Sequence, residues 1–234
     1  MKVVENVKIY GFQKMTLLDF PGRVACTLFT AGCNFACPFC HNASLVTHID
    51  GAPIDHEEIF SYLNKRKGLL DGVCITGGEP LLWPDVASFI QKIKEMGYLV
   101  KLDTNGAFPD RLAHLIDTGL VDYVAMDIKN SKEKYALTAG VPVDLAAIEQ
   151  SVELLKEGRV EYEFRTTVVK EFHTEQDIIS MANWLSGTRY WYLQNFTDSG
   201  DLIQNGLHSH GENWLQNAQS LARQTIEGVK VRGC

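Results

Sequence analysis

Residues 72–106, GVCITGGEPLLWPDVASFIQKIKEMGYLVKLDTNG, contain the pattern that decides the fold. Two short apolar runs, 72–76 and 98–103, are each long enough for one strand. The segment between them has apolar residues on one helical face before a terminating glycine: Val86, Phe89, Ile90 and Ile93, then Gly97. A strand, a helix and a strand in this order predict two parallel strands joined by a crossover helix.

The same alternation continues in both directions from this segment. Further helices are expected to begin after Asp55, Asp144 and Thr174, whose side chains can cap a helix N-terminus. The predicted strands are 24–30, 72–76, 98–103, 123–128, 162–169 and 190–196. Six strand–helix units predict an α/β fold, a partial, open TIM-like (β/α)6 barrel with parallel strands, because a complete eightfold barrel takes about 250 residues. A doubly wound sheet is the alternative.

We expect a single domain over residues 1–234, with residues 1–23 as an N-terminal extension that packs on the barrel. In folds of this kind, ligands bind beyond the carboxyl ends of the strands. We therefore expect functional residues at those ends.

Composition excludes several classes of protein. The chain has a formal net charge of −7 and no long basic run, so it carries no electrostatic footprint for nucleic acid or anionic lipid. Residues 1–14 lack the apolar stretch of a signal peptide. Residues 24–46 are free of charged side chains, but their glycine, proline and asparagine residues argue against a membrane-spanning helix. Six cysteines in a chain of this length do not suggest a disulfide framework, and we expect a reducing, cytoplasmic location.

Three cysteines follow the first predicted strand within residues 33–42, CNFACPFCHN. A structural zinc site normally uses four ligands, and His41 could complete one, which remains an alternative. A [4Fe–4S] cluster that is held by only three cysteines, here Cys33, Cys37 and Cys40, keeps one iron open for an external ligand. The other cysteines are expected to be core residues or an exposed thiol: Cys26 and Cys74 in the core, and Cys234 exposed.

The next strand ends also carry glycine and polar residues. Residues 77–80 read GGEP, and the two glycines allow a backbone to approach a ligand closely. Residues 103–106 read DTNG, and residues 125–129 read AMDIK. Alternate residues of a strand share one face, so Asp127 and Lys129 would point together into the barrel mouth, where charges need partners.

Three further residues, Arg165, His208 and His210, lie in sequence patterns that indicate their roles less clearly. Arg165 lies in the apolar fifth strand, where it either faces a partner or stands at a solvent-exposed edge. His208 and His210 fall in a polar loop, for which a solvated position is favoured.

The cysteine spacing, with Phe39 as the aromatic before the third cysteine, resembles the cluster motif of the radical S-adenosylmethionine enzymes. The resemblance implies that the methionine amino and carboxylate groups of S-adenosylmethionine bind the open iron. An electron from the cluster would then split the sulfonium into methionine and a 5′-deoxyadenosyl radical. It also implies that the GGEP turn, through the backbone of Gly77 and Gly78 and through Glu79, meets the methionine ammonium.

The DTNG and AMDIK segments resemble those of enzymes that activate glycyl radical enzymes. The resemblance implies that Lys129 pairs with the cosubstrate carboxylate, and that Arg165 and Asp103 lie near the cosubstrate. It further implies a monovalent cation beside that carboxylate, with these ligands: Asp103, Thr104, Asp127 and the Ala125 carbonyl.

Residues 18–22, LDFPG, and residues 40–42, CHN, look most like the activating proteins of anaerobic ribonucleoside-triphosphate reductase. The implied reaction is abstraction of a glycine Cα hydrogen in that partner, with flavodoxin or ferredoxin as electron donor. An activator of pyruvate formate-lyase is the next candidate. The same motifs also suit a small-molecule radical enzyme similar to 7-carboxy-7-deazaguanine synthase, and the cysteines alone would suit a metal-binding or electron-carrying protein without catalysis.

Overall fold

The computed structural model describes residues 7–233, which form eight strands and eight α-helices. The strands are β1 Ile9–Thr16, β2 Ala25–Thr30, β3 Gly72–Gly77, β4 Leu99–Thr104, β5 Tyr123–Asp127, β6 Glu161–Val168, β7 Trp191–Asn195 and β8 Val229–Arg232. The helices are α1 Ala43–Thr47, α2 His56–Lys65, α3 Val86–Glu95, α4 Pro109–Asp117, α5 Tyr135–Ala139, α6 Leu145–Lys156, α7 Glu175–Trp184 and α8 Glu212–Ala222.

The eight strands form one sheet in chain order, from β1 at one edge to β8 at the other. Strands β2 to β8 are parallel, whereas β1 pairs antiparallel with β2. Parallel neighbours in sequential order, joined by helices, form a partial barrel, which confirms the predicted fold class. Strand β1 lies in the predicted N-terminal extension, of which residues 1–6 are outside the described part.

Sequence patterns did not predict β1 and β8. Strand β1 buries only its two end residues, Ile9 and Thr16, so it has no apolar run. Strand β8 has four residues, and one of them, Val229, is fully buried. Both are edge strands, and an edge strand needs less apolar surface than a central one.

The two faces of the sheet differ in polarity. On the outer face, side chains such as Leu28, Ile75 and Leu102 are fully buried in the main apolar core, together with the apolar faces of the helices. The inner face carries charged residues at the alternate positions, among them Lys101 and Asp103 of β4. Alternation along each strand therefore places charges from neighbouring strands together inside the barrel.

Helix starts follow the predicted capping residues. Asp55 accepts a hydrogen bond from the Glu57 amide at the start of α2, and Asp144 accepts from two amides at the start of α6. Thr174 and Asp177 form a capping box on α7. These caps satisfy amides that have no partner inside the helix.

No helix within residues 7–233 is long and apolar enough to cross a membrane.

Candidate active site

One cavity of about 220 Å³ lies where β2 to β7 end. It is lined by nearly all the site residues that the sequence predicted: Cys33, Cys37, Phe39, Cys40, Gly77, Gly78, Glu79, Asp103, Thr104, Asp127, Lys129 and Arg165. Ala125 is absent from this lining; it is fully buried and pairs in register with Asp103 across β4 and β5. The fold therefore brings together residues from distant segments of the chain at the carboxyl ends of the strands, as expected for this class of fold.

The cysteine loop is packed tightly against its surroundings. The Ala36 amide donates to the Ala139 carbonyl at 2.9 Å, and the Cys40 amide donates to the Cys37 carbonyl at 3.0 Å. Burial raises the pKa of the Cys33 thiol to about 12 and also raises the pKa values of Cys37 and Cys40. Free thiols in this loop are therefore protonated at neutral pH, and thiolate ligation needs the positive charge of a metal.

The donor set fits an iron–sulfur cluster better than a single zinc ion. Within residues 7–233, no three His, Cys, Asp or Glu side chains converge closely enough to hold one metal ion. The cysteines of a four-iron cluster bind different irons, so these sulfurs need only face a common cavity. His41, the candidate fourth zinc ligand, instead bonds through Nε2 to the Thr197 carbonyl at 2.8 Å and stacks on Phe196.

Phe39, within the cysteine loop, is buried. Its ring lies 5.9 Å from the Phe172 ring, centroid to centroid, and meets the edge of His173 at 6.5 Å. The aromatic residue before Cys40 thus anchors the loop to the barrel wall after β6 and lines the cavity.

The two glycines of the GGEP turn are required by the neighbouring backbone. A Cβ on Gly77 would overlap the backbone of Thr30, and one on Gly78 would overlap the Gly32 carbonyl oxygen. In the structure, the Gly78 amide donates to the Thr30 carbonyl at 2.8 Å, and the Glu79 amide donates to the Gly32 carbonyl at 2.9 Å. The sequence predicted that these glycines allow the backbone to approach a ligand; in the structure they also allow close packing against the segment that leads into the cysteine loop.

Glu79 joins the ends of β3 and β4. Its Oε1 accepts from the Leu81 amide at 3.0 Å and from the Thr104 hydroxyl at 2.8 Å, and its Oε2 accepts from the Asn105 amide at 2.7 Å. Burial raises the pKa of Glu79 to about 7, although these hydrogen bonds oppose the rise. The carboxyl group is thus buried, and its hydrogen bonds connect the segments that follow β3 and β4.

A chain of alternating charges, which we call the charge ladder, crosses the inner face. Its members are Lys101, Asp103, Arg165, Asp127 and Lys129. Arg165 Nη1 lies 3.3 Å from Asp103 Oδ2, and Arg165 Nε lies 3.0 Å from Asp127 Oδ1. Lys129 Nζ lies 3.1 Å from Asp127 Oδ2. Three cations and two carboxylates leave one positive charge in excess.

The ladder holds its carboxylates in the charged form. Burial alone would raise the pKa of Asp127, but Arg165 and Lys129 outweigh it and lower that pKa to about 2. The pKa of Asp103 is also lowered, because Arg165 and Lys101 outweigh its burial. The sequence left open whether Arg165 faces inward or toward solvent. In the structure it faces inward, toward Asp103 and Asp127.

The residues predicted to bind a monovalent cation already have other partners. Both aspartates pair with ladder cations, and the Thr104 hydroxyl donates to Glu79. The cation itself stays a prediction.

Some residues of the site had no clear sequence signal. Lys101 is 2% exposed and pairs with Asp103. Asn105 donates through Nδ2 to Asn34 at 2.8 Å, and the same nitrogen lies 3.8 Å from Cys33 Sγ. Asn42 donates to the Gly77 carbonyl at 3.1 Å and so ties the cysteine loop to the GGEP turn. The position of Asn105 in the DTNG motif was visible in the sequence, but its partners were not.

The two histidines of the loop after β7 do not line the cavity. His208 pairs with Glu171 through Nδ1 at 2.8 Å and is largely exposed. His210 stacks on Trp214 and bonds to the His173 carbonyl at 3.1 Å.

Cys26 and Cys74 are fully buried, as expected for core residues, and Cys234 lies outside the described residues.

A second cavity of about 530 Å³ adjoins the first along the inner face. Asp103, Arg165 and Gln194 line both cavities, whereas Lys101 and Arg232 line only the second. The charge ladder therefore separates two spaces inside the barrel.

A sequence model of the Radical SAM superfamily matches residues 27–185, more than half of the chain. The chain belongs to this superfamily. Membership implies a [4Fe–4S] cluster and S-adenosylmethionine as cofactors, in agreement with the three cysteines that face the cavity.

Among its relatives, a protein of Methanocaldococcus jannaschii, provisionally named a glycyl-radical enzyme activating enzyme, is 32% identical over 232 residues, 96% of this chain and 95% of the relative. The pyruvate formate-lyase-activating enzyme of Clostridium pasteurianum is 32% identical over 53% of this chain and 52% of that enzyme. A 7-carboxy-7-deazaguanine synthase of Methanopyrus kandleri is 31% identical over 47% of this chain and 51% of that enzyme. The last two matches span about half of each relative.

Two solved structures have the same fold. Streptococcus suis SuiB bound to S-adenosylmethionine superposes with a TM-score of 0.68 and 15% identity, over 87% of this chain and 48% of that chain. QueE from Escherichia coli superposes with a TM-score of 0.56 and 16% identity, over 98% of this chain and 95% of that chain. At these identities the likeness concerns the fold alone.

Proposed function

We propose that this chain cleaves S-adenosylmethionine reductively and uses the 5′-deoxyadenosyl radical to take a hydrogen atom from a glycine Cα of a partner enzyme. The products are methionine, 5′-deoxyadenosine and a glycyl radical on the partner. The observation that carries this proposal is one cavity that is lined both by the three cysteines and by Lys129, one of the two lysines that end the charge ladder. Similarity along nearly the whole chain to the Methanocaldococcus jannaschii protein supports a glycyl radical enzyme as the partner.

Each of Cys33, Cys37 and Cys40 would bind one iron of the cluster and leave the fourth iron to the methionine amino and carboxylate groups. When bound and reduced, the cluster supplies the electron that breaks the carbon–sulfur bond. The loop limits the access of water to Cys37, which is 7% exposed, whereas Cys33 and Cys40 are partly exposed at the cavity.

The remaining cavity residues would orient the cosubstrate. Lys129 would pair with the methionine carboxylate, since the ladder has one positive charge in excess. Gly77, Gly78 and Glu79 would meet the methionine ammonium at the adjoining turn. Arg165 would keep its place near the cosubstrate through its bonds to the two aspartates.

We further propose anaerobic ribonucleoside-triphosphate reductase as the partner and flavodoxin or ferredoxin as the electron donor. The LDFPG segment, which supports this partner by resemblance, borders the second cavity through Leu18, Asp19 and Pro21. The cluster needs a strong reductant, because iron–sulfur potentials extend down to about −700 mV. Such a centre is suited to an anaerobic cytoplasm.

Isotope transfer tests the proposal. A candidate glycyl radical enzyme with deuterated glycine is mixed anaerobically with the cluster-loaded chain, reductant and S-adenosylmethionine, and 5′-deoxyadenosine is analysed for deuterium. We expect deuterium in the product, and a doublet from the partner's glycyl radical in the electron paramagnetic resonance spectrum. Cys37→Ala should abolish both signals, whereas Cys26→Ala, which changes a cysteine in the core, should retain them. Failure of transfer with every glycyl radical enzyme tried would contradict the proposal.

A small-molecule radical enzyme is the second candidate. The partial match to a 7-carboxy-7-deazaguanine synthase favours it. It predicts that 5′-deoxyadenosine formation is stimulated by a small substrate without any partner protein. A protein that only binds metal or carries electrons would give no 5′-deoxyadenosine with dithionite and S-adenosylmethionine.

A further inference from the structure

Lys101 is a buried cation on the inner face of β4. Its side chain is 2% exposed, and its ammonium group contacts Asp103 Oδ1, two residues further along the same strand. A buried ammonium group is stable only when it is paired, so Lys101 depends on this contact, whereas Asp103 is also bonded to Arg165. Lys101 lines the second cavity, so it approaches Asp103 from the side opposite the cysteine loop.

All four oxygens of the two ladder carboxylates accept a hydrogen bond from a cationic side chain. Asp103 Oδ1 is bonded to Lys101 and its Oδ2 to Arg165, at 3.3 Å for the latter. Asp127 Oδ1 is bonded to Arg165 at 3.0 Å, and its Oδ2 is bonded to Lys129 at 3.1 Å. A monovalent cation at these oxygens would lie among three like charges.

The other expected ligand side chain is also occupied. The Thr104 hydroxyl donates to Glu79 Oε1 at 2.8 Å and accepts from the Gly106 amide at 3.1 Å. The three side chains of the predicted cation site are therefore already hydrogen-bonded and do not form an open coordination shell in this chain.

Charge counting leads to the same conclusion. The ladder as it stands carries one positive charge in excess, which matches one carboxylate of the cosubstrate. Among the ladder side chains and the cosubstrate carboxylate, an added cation would leave one positive charge without a partner, and a buried charge without a partner is costly.

We propose that Lys101, together with Arg165, supplies the positive charge for which family resemblance predicts a bound monovalent cation. In this chain S-adenosylmethionine binding then requires neither K⁺ nor Na⁺. Lys101 is a positioning residue: it acts through Asp103 and Arg165 on the Asp127–Lys129 pair. This inference rests on the cosubstrate-binding part of the proposed function and is independent of the partner enzyme.

Two substitutions of Lys101 distinguish the loss of its charge from the loss of its side-chain volume. Lys101→Ala removes the charge and leaves room that is continuous with the second cavity, which a cation can enter. Lys101→Met removes the same charge but fills most of the space. The dissociation constant of S-adenosylmethionine is measured by anaerobic equilibrium dialysis on cluster-loaded protein, in KCl, NaCl or tetramethylammonium chloride at equal ionic strength.

We expect the wild-type dissociation constant to agree within about twofold in all three salts. Lys101→Ala should bind about tenfold more tightly in KCl than in tetramethylammonium chloride, whereas Lys101→Met should be weakened equally in all salts. Strong dependence of the wild type on K⁺ or Na⁺ would overturn the inference, as would Lys101→Ala with wild-type affinity in every salt. A wild-type protein that binds no S-adenosylmethionine in any salt would contradict the proposed function as well.

A second measurement needs no variant at Lys101. Thallium(I), a spectroscopic substitute for K⁺, is titrated into the wild-type protein with S-adenosylmethionine and followed by thallium nuclear magnetic resonance. We expect no saturable bound signal. A saturable signal that disappears in Asp127→Asn would overturn the inference.

Discussion

At the scale of single residues, burial and charge pairing compete on the inner face of the barrel. Burial alone would raise the pKa of Asp127, but its two cationic partners lower it to about 2. Glu79 is bonded to two amides and a hydroxyl, and burial raises its pKa to about 7. Two carboxyl groups that line the same cavity therefore differ in charge state near neutral pH.

Lys129→Ala should weaken S-adenosylmethionine binding without removing iron, because Lys129 is assigned to the cosubstrate carboxylate and not to the cluster. A lost charge-assisted contact predicts a dissociation constant about tenfold higher or more. Equilibrium dialysis and iron analysis measure the two properties. Lys156→Ala, on an outer helix where Lys156 pairs with Glu153, is the control and should leave both unchanged. Unchanged affinity in Lys129→Ala would refute the assigned role.

Glu79 should make stability depend on pH. Its folded pKa, about 7, lies above its ordinary value of 4.5, so its contribution is fully present below about pH 4.5 and is lost as pH rises through 7. Glu79→Gln cannot titrate, and its stability cost should therefore shrink with rising pH, by at most about 1.4 kcal/mol per pH unit in this window. Urea unfolding of the metal-free protein at several pH values measures this. Glu153→Gln, at an exposed site, should show no such trend; a pH-independent cost for Glu79→Gln would exclude this explanation.

At the scale of secondary-structure elements, the turn after β3 is held against the start of the cysteine loop by backbone contacts. The amides of Gly78 and Glu79 bond to carbonyls of residues 30 and 32, and Asn42 bonds back to the Gly77 carbonyl. Order in the GGEP turn and order in the cysteine loop are therefore coupled.

Gly78→Ala should reduce both stability and cluster loading, because the new Cβ would overlap the Gly32 carbonyl oxygen. Overpacking against backbone predicts a loss of about 1–3 kcal/mol in unfolding free energy. Gly211→Ala is the matched control, since a Cβ there would meet no atom within 4 Å. Chemical unfolding and the iron content after reconstitution measure the effect. Wild-type values for Gly78→Ala would mean that the turn tolerates a side chain.

The six central strands and the main helices were predictable, because the central parallel strands are rich in buried apolar residues and caps such as Asp144 and Thr174 mark helix starts. Strands β1 and β8 were not predictable, since an edge strand can be partly exposed and need not show an apolar run.

The positions of the predicted site residues followed from the rule that ligands bind at the carboxyl ends of strands. Their pairings did not, because spacing along one strand cannot reveal which cation of another strand faces Asp103.

At the scale of the whole molecule, the apolar outer face and the charged inner face of the sheet have different roles. The outer face packs the helices, and the inner face holds two adjoining cavities separated by the charge ladder. The cysteine loop lies at the first cavity, while the LDFPG segment and β8 border the second. If the proposed function holds, this arrangement would allow the cosubstrate and a loop of the partner protein to approach the centre from different cavities.

The most direct test of the central claim, an iron that is open to S-adenosylmethionine, is electron paramagnetic resonance of the reduced, cluster-loaded protein before and after the cosubstrate is added. We expect a [4Fe–4S] spectrum whose g values change on addition, because in the proposed function the methionine end of the cosubstrate binds the cluster directly. A cluster spectrum that S-adenosylmethionine leaves unchanged at saturating concentration would contradict it.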